Sequence, residues 1–290
     1  MNKLRFGMGN SKLSQELATF SLPAGHSCPF AKLCLSKVDK NTGKLKDGKH
    51  CQFRCFSASQ ESSFLSVRKS RWCNFDMLKK HKDNIELMAK DIQDSLPRGF
   101  NIVRVHVSGD FYSEKYFLAW LNVALNNPMI IFYGYTKAIP FFIKYKKQIP
   151  LNFRFTASKG GTCDNLITKH HIKYAEVVFS VNEAKEKNLE IDHDDSLAFG
   201  NNKTFALLLH GTQPPKSLAS KAWLTMRRNG MGGYGDSPIS RKMDVKKQLV
   251  IYININGNKP LVKKTPVKIN ISNVNRKPLW FMSNRFLAKR

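Results

Sequence analysis

Of the six cysteines in this 290-residue chain, five fall between residues 28 and 73. Cys28, Cys34, Cys51 and Cys55 follow a C-x5-C-x16-C-x3-C spacing inside a polar, turn-rich stretch. Thiolates grouped in this way hold metal: zinc takes four in a tetrahedron, and iron–sulfur clusters are ligated by cysteines of similar grouping. The first pair is wider than the two to four intervening residues usual for zinc, about the spacing of finger-type sites. Several chemistries therefore stay open. Four thiolates would close a zinc site or a cluster. Three would leave one iron of a four-iron cluster free for an external ligand. Unliganded buried thiols are the plain alternative. Cys163 stands apart and reads as a buried thiol.

A second constellation is His106-Val107-Ser108-Gly109-Asp110-Phe111-Tyr112, where a strand gives way to a helix. Glycine lets a backbone approach a ligand closely, and Asp110 is suited to accept from an ammonium or a ribose hydroxyl. A helix N-cap is the alternative use of the Ser or Asp. Tyr135-Thr136-Lys137, the stretch 156–161 and His210-Gly211-Thr212 hold corresponding strand-end positions. Ser108, Gly109, Asp110, Thr136 and Ser158 are thus the candidate cofactor contacts, and the four cysteines the candidate metal ligands. No catalytic residue is assigned. Asp192-His193-Asp194-Asp195-Ser196 offers metal-type ligands but reads more simply as a solvated acidic loop. His170-His171 has no partner at ligand spacing and reads as structural.

The elements that must position these residues alternate. Residues 17–22 form a short strand, and the cysteine segment follows as a long loop. Met77, Ile85, Met88 and Ile92 lie on one helical face, which predicts a helix over 75–96. Strands follow at 102–107, 129–135, 153–157, 174–181 and 204–210. Helices are expected at 114–126, capped by Ser113, and at 139–146, 163–171, 182–187 and 214–229. The near-continuous apolar strands indicate burial on both faces, hence a parallel sheet with intervening helices. Six β/α units predict a (βα)6-type partial barrel, with an open doubly wound sheet as the competitor. Residues 1–235 form this domain, with the cluster loop at 28–73. Residues 236–290 read as a basic extension whose Asn256-Gly257 marks a hairpin.

The balance of 48 basic against 21 acidic residues gives a net charge of +27. From 241 to 290 there are 13 basic residues and one acid, Asp244. So lopsided a charge points to a polyanionic partner, DNA or RNA above all, met through the basic surface and tail. A Lys-rich composition without a specific partner is the bland alternative. No apolar run is long enough to span a membrane, and the N-terminus lacks the apolar core of a signal peptide. A cytoplasmic setting follows, where thiols stay reduced and metal is favoured over disulfides.

Two resemblances sharpen this reading. The stretches 21–29 (Ser-Leu-Pro-Ala-Gly-His-Ser-Cys-Pro), 53–61 (Phe-Arg-Cys-Phe-Ser-Ala-Ser-Gln-Glu) and 106–111 resemble the phage "gene product 88" family. Tyr135-Thr136-Lys137 and Ile191-Asp192-His193-Asp194-Asp195-Ser196 do so as well, and the likeness covers about residues 15–235. It implies a protein of the host-cell cytoplasm.

The arrangement is also distantly similar to radical S-adenosylmethionine enzymes. In those, three cysteines after the first strand hold a [4Fe-4S] cluster, and an acidic Gly-rich motif ending the second strand holds the amino end of the cofactor. Cys28, Cys34 and Cys55 would be the ligands, with Phe56-Ser57 as the aromatic and small residues that follow the last one. Ser108-Gly109-Asp110 would meet the cofactor. The resemblance implies hydrogen abstraction by a 5′-deoxyadenosyl radical, on a substrate that the charge suggests is nucleic acid. This chain departs from the usual C-x3-C-x2-C signature, so Cys51 becomes pivotal: as a fourth ligand it would close the cluster. Two other readings remain: a nucleic-acid-binding protein with a structural zinc or closed cluster, and a metal-dependent nuclease or hydrolase built on His106, Asp110, Asp192, His193 and His210.

Overall fold

Apolar runs and capped helices alternate along most of the chain, and the computed structural model, which describes residues 3–9, 16–200 and 203–230, shows what they build. The expected C-terminal hairpin and basic extension lie outside the described residues. Strands β1 (Gly7–Met8) and β2 (Ala18–Ser21) lead into the cysteine segment. That segment contains a two-stranded hairpin, β3 (Ser36–Val38) and β4 (Leu45–Asp47), and then helix α1 (Phe56–Ser63). Helices α2 (Leu65–Lys80) and α3 (Ile85–Ser95) follow.

Strand and helix then alternate: β5 (Ile102–Ser108), α4 (Glu114–Asn126), β6 (Ile131–Thr136), α5 (Ile139–Tyr145) and β7 (Phe153–Ser158). The series continues with α6 (Asp164–Lys169), β8 (Tyr174–Val178) and α7 (Val181–Glu186). It ends with β9 (Glu190–Ile191), α8 (Ser196–Phe199), β10 (Phe205–Leu208) and α9 (Leu218–Arg228). As expected, the Ser113 side chain caps α4 by accepting from the Tyr116 amide.

The fold is mixed α/β around a mostly parallel central sheet. Its order is β1-β2-β5-β6-β7-β8-β10-β9. The six strands β2, β5, β6, β7, β8 and β10 run parallel and neighbour one another in chain order. A doubly wound sheet reverses its order at a switch point, and these strands do not. Nor is a closed barrel formed: β1 flanks β2 antiparallel at one edge and β9 flanks β10 at the other.

One face of the sheet packs Ala18, Phe20, Val103, Val105, Phe132 and Phe153 against α2, α3 and α4. The opposite face presents Leu17, Ile102, Ile131, Tyr133, Ala175 and Phe205, which are covered by Ala198 and Phe199 of α8. Asp195 at the head of α8 is fully buried and held at φ 67°. It accepts from the Tyr133 and Tyr135 hydroxyls at 3.1 and 3.2 Å and pairs with Arg104 at 2.5 Å. Lys173 donates to the Leu197 and Ala198 carbonyls, and Arg154 to that of Phe199.

Two expectations are corrected. The helix expected over 75–96 is two helices, broken at 81–84, where Asn84 caps α3 by accepting from the Leu87 amide. A further helix, α1, precedes them where a loop was expected. The reason lies in what α2 buries: Arg68, Arg71, Asn74, Phe75 and Leu78. This is a helical face whose first half is polar, so apolar periodicity begins only at Phe75.

Candidate functional site

Every parallel strand but one is followed by a loop carrying a candidate residue, and the sequential order gathers these loops on one rim. The cysteine segment follows β2 and is stitched across that rim. Leu22 N donates to Ser108 O at 2.8 Å. Lys32 N and Leu33 N both donate to Gly160 O, beyond β7, and Ala31 bridges to Gly161. Gln213, after β10, receives Arg54 N at 2.7 Å and donates back to Arg54 O. Residues distant in sequence, 28–35 and 51–55, are therefore fixed to the same strand ends.

Within this frame Cys28, Cys34 and Cys55 fall into each other's electrostatic field. Burial, then the Asp110 carboxylate, then Cys55 and Cys34 push the Cys28 thiol well above its ordinary value. Cys55 is pushed up to about 11 by burial and by Cys34, while the Ser57 and Ala58 amides and Arg71 pull the other way. Cys55 sits at the N-cap of α1, where free amides and the helix dipole favour a thiolate. All three cysteines are half-buried residues.

Cys51 is placed differently. Its Sγ donates to Phe53 O at 3.1 Å and lies 3.8 Å from Ser36 Oγ. Its thiol is raised, by burial first, and it is coupled to Cys34 and to Asp47. Cys73 lies in α2, and Cys163 precedes α6 beside Thr162. Among the described residues no three His, Cys, Asp or Glu side chains stand close enough together to hold a single metal ion.

The five candidate cofactor residues are brought to the rim, and hydrogen bonds link Asp110, Thr136 and, through Lys137, Ser158. Asp110, 4% exposed, accepts from Thr136 Oγ1, Phe111 N and Lys137 N, each at 2.7 Å. Burial raises its carboxyl, and these donors act against that. Lys137 Nζ in turn donates to Ser158 Oγ at 2.6 Å and to the carbonyls of Ser158 and Lys159. Ser108 Oγ donates to Glu61 Oε1 at 3.4 Å. Gly109 has φ 86°, and a Cβ there would stand 2.5 Å from Ser27 Oγ and 2.7 Å from Leu22 Cβ. The close approach that requires glycine is made to the chain just before Cys28.

Sequence reasoning missed the buried ion pair on which Ser108 rests. Glu61 is fully buried beneath the rim and receives Ala24 N at 2.8 Å and Arg71 Nη1 at 3.0 Å. Arg71, itself buried, also donates to Ser57 O and to Gln60 Oε1. Burial raises Glu61, and burial lowers Arg71. Glu61 stood in one of the stretches that carried the family likeness, but nothing in sequence marks a surface-type residue as buried.

The residues of the hydrolase reading are not brought together. His106 lies at φ 67° among Phe20, Phe111, Tyr116 and Trp120, with Nε2 at 2.9 Å from Tyr116 Oη. Burial lowers it to about 3, so its ring is neutral. Asp192 and Asp195 are buried on the opposite face of the sheet, and the segment is no solvated loop. His210 packs against Phe56 with ring centroids 4.6 Å apart and the rings tilted by 52°, and its Nδ1 lies against Leu208 O.

Fold and site together define a mixed α/β protein with a mostly parallel sheet and a cysteine-bearing rim at its strand ends. The chain belongs to the gene product 88 family, whose model matches residues 2–225. The phage family of the sequence resemblance is thereby shown. No curated protein and no solved structure matches the chain. Among the described residues no helix is long and apolar enough to cross a membrane.

Proposed function

We propose that this is an iron–sulfur protein in which Cys28, Cys34 and Cys55 hold a [4Fe-4S] cluster on a sheet related to the partial barrel of radical S-adenosylmethionine enzymes. The observation that carries the reading is that Cys34 and Cys55 lie beside Cys28 at the rim, while Cys51, which also neighbours Cys34, has its Sγ turned to Phe53 O and Ser36. A zinc tetrahedron draws its sulfurs to about 3.8 Å from one another. A four-iron core is itself wider than one ion and accepts thiols set farther apart. The sequential parallel order adds support, because it puts the segment after the first parallel strand beside Ser108-Gly109-Asp110. With one iron left open, such a cluster supplies single electrons to a sulfonium cofactor.

The chain's own residues prepare and hold the site. The raised thiols of Cys28 and Cys55 stay protonated without metal, so loading releases protons and is favoured as pH rises. Arg71 favours the thiolate of Cys55 from below. The Asp110–Thr136–Lys137–Ser158 chain and the Glu61–Arg71 pair, on which the Ser108 hydroxyl also rests, fix the rim beside the thiols. With a net charge of +27, nucleic acid is the partner class of this reading.

Anaerobic reconstitution with iron and sulfide tests it. Wild type and Cys51→Ser should retain about four irons per chain with broad visible absorption, and Cys28→Ser, Cys34→Ser and Cys55→Ser should lose them. About one zinc per chain, equally dependent on Cys51, would replace the proposal with a structural zinc site. Formation of 5′-deoxyadenosine from S-adenosylmethionine by the loaded wild type tests the enzymatic form.

A further inference from the structure

The hairpin inserted between Cys34 and Cys51 has a charge pattern that its fold does not need. Residues 32–50 carry exposed Lys32, Lys37, Lys40, Lys44, Lys46 and Lys49. Their two acids are engaged locally. Asp39 accepts from Asn41 N, Thr42 N and Thr42 Oγ1 in its own turn. Asp47 is held by Arg54 at 2.6 Å and by Ser36 Oγ. Lys40 pairs with Asp76, and no ion pair is found for the other five among the described residues.

The register makes the pattern sharper. Ser36 pairs with Asp47 and Val38 with Leu45, and between them Lys37 stands directly opposite Lys46. Ser36 and Val38 are buried while both lysines face solvent. Like charges directly opposed across two strands destabilise the pair. Beside the ladder lies a recess of about 430 Å³ lined by Ala31, Lys32, Leu35, Lys49, His50 and Thr162, which extends the cationic surface.

We propose that the β3–β4 hairpin is a docking element for the phosphate backbone of a nucleic acid, carried beside the thiol rim. An opposed lysine pair costs the free protein stability and is relieved by an anion placed over it. Lysines are compact point charges that neutralise phosphates without reading bases. The overall charge of +27 favours nucleic acid over an acidic protein as that anion. The inference rests on the nucleic-acid part of the function proposed above and not on the cluster.

The test uses the full chain, a mixed-sequence DNA duplex and, in parallel, poly-L-glutamate. Lys37→Gln/Lys46→Gln should lower the slope of log affinity against log salt for the duplex by about 2, at roughly 0.9 per phosphate contact. Lys46→Glu alone should weaken duplex binding while raising the melting temperature, a pairing of effects that a merely structural role would not produce. An unchanged duplex slope beside salt-dependent wild-type binding overturns the proposal. So does loss of poly-L-glutamate binding with the duplex slope kept, which would make the occupant an acidic protein. Wild-type protein that shows no salt-dependent duplex binding removes the nucleic-acid reading itself.

Discussion

Between the sheet and α2–α4, Phe20, Phe111, Tyr116, Phe117, Trp120 and Phe132 are all less than 2% exposed. Around the cysteines the buried apolar cluster is Ala24, Val38 and Ala58, with Leu45 and Cys55 against it. A fully buried large apolar side chain contributes about 1.5–3 kcal/mol, and alanines far less. The helical face is therefore held by burial, which is non-directional and survives small shifts. The cysteine segment is held by Glu61, Arg71, Gln213 and backbone stitches, which are directional and fail when a partner is lost. On the proposed reading, metal bound to the thiols would add to the folding free energy of this weakly packed segment.

Breaking the polar side should give the largest effect. Arg71→Met leaves Glu61 buried without its ion-pair partner and should destabilise by about 3–5 kcal/mol in urea unfolding. The double variant Glu61→Gln/Arg71→Met should recover much of that loss. If the single variant were nearly neutral, directional contacts would not be what holds the rim.

The apolar side is probed through His106. Its folded-state value of about 3 lies below the ordinary 6.5, so the folded protein binds fewer protons than the unfolded chain between those limits. The stability it contributes is complete above pH 6.5 and is lost as pH falls toward 3, by up to about 1.4 kcal/mol per pH unit. His106→Asn keeps a residue that tolerates positive φ and should flatten the wild-type decline between pH 7 and 5. An unchanged slope would mean that the ring is not buried neutral. The smallest effect belongs to Cys34→Ser in metal-free protein, within about 0.5 kcal/mol of wild type. The same variant in reconstituted protein should lose the metal-induced rise in melting temperature.

The same contrast explains what could be seen in the sequence. Strands β5 to β8 and β10 announce themselves as apolar runs, and Ser113 marks α4, because burial by hydrophobic residues leaves a periodic trace. The strand ends carrying Ser108, Asp110, Thr136 and Ser158 followed from that order. Helix α2 buries arginines and an asparagine first, so its start left no apolar period. The hairpin β3–β4 sets a lysine between Ser36 and Val38 in one strand and between Leu45 and Asp47 in the other, too short and polar to register. Strands β1 and β9 have two residues each. Glu61–Arg71 was illegible for a related reason: ionisable residues are rarely fully buried, and only the three-dimensional partner makes it tolerable.

The buried Asp195 also bears on how the chain comes together in time. The residue that ties α8 to the sheet follows its Tyr133 partner by 62 positions. Contacts so far apart in sequence form late, after the local βα units have assembled. During synthesis the inner face of the first strands, with Ile102, Ile131 and Tyr133, stays open to solvent until residues 195–199 have left the ribosome. The last third of the domain thus acts as a keystone: an early stop or a nick before residue 195 would leave an adhesive sheet face, and aggregation rather than a smaller folded protein is the consequence.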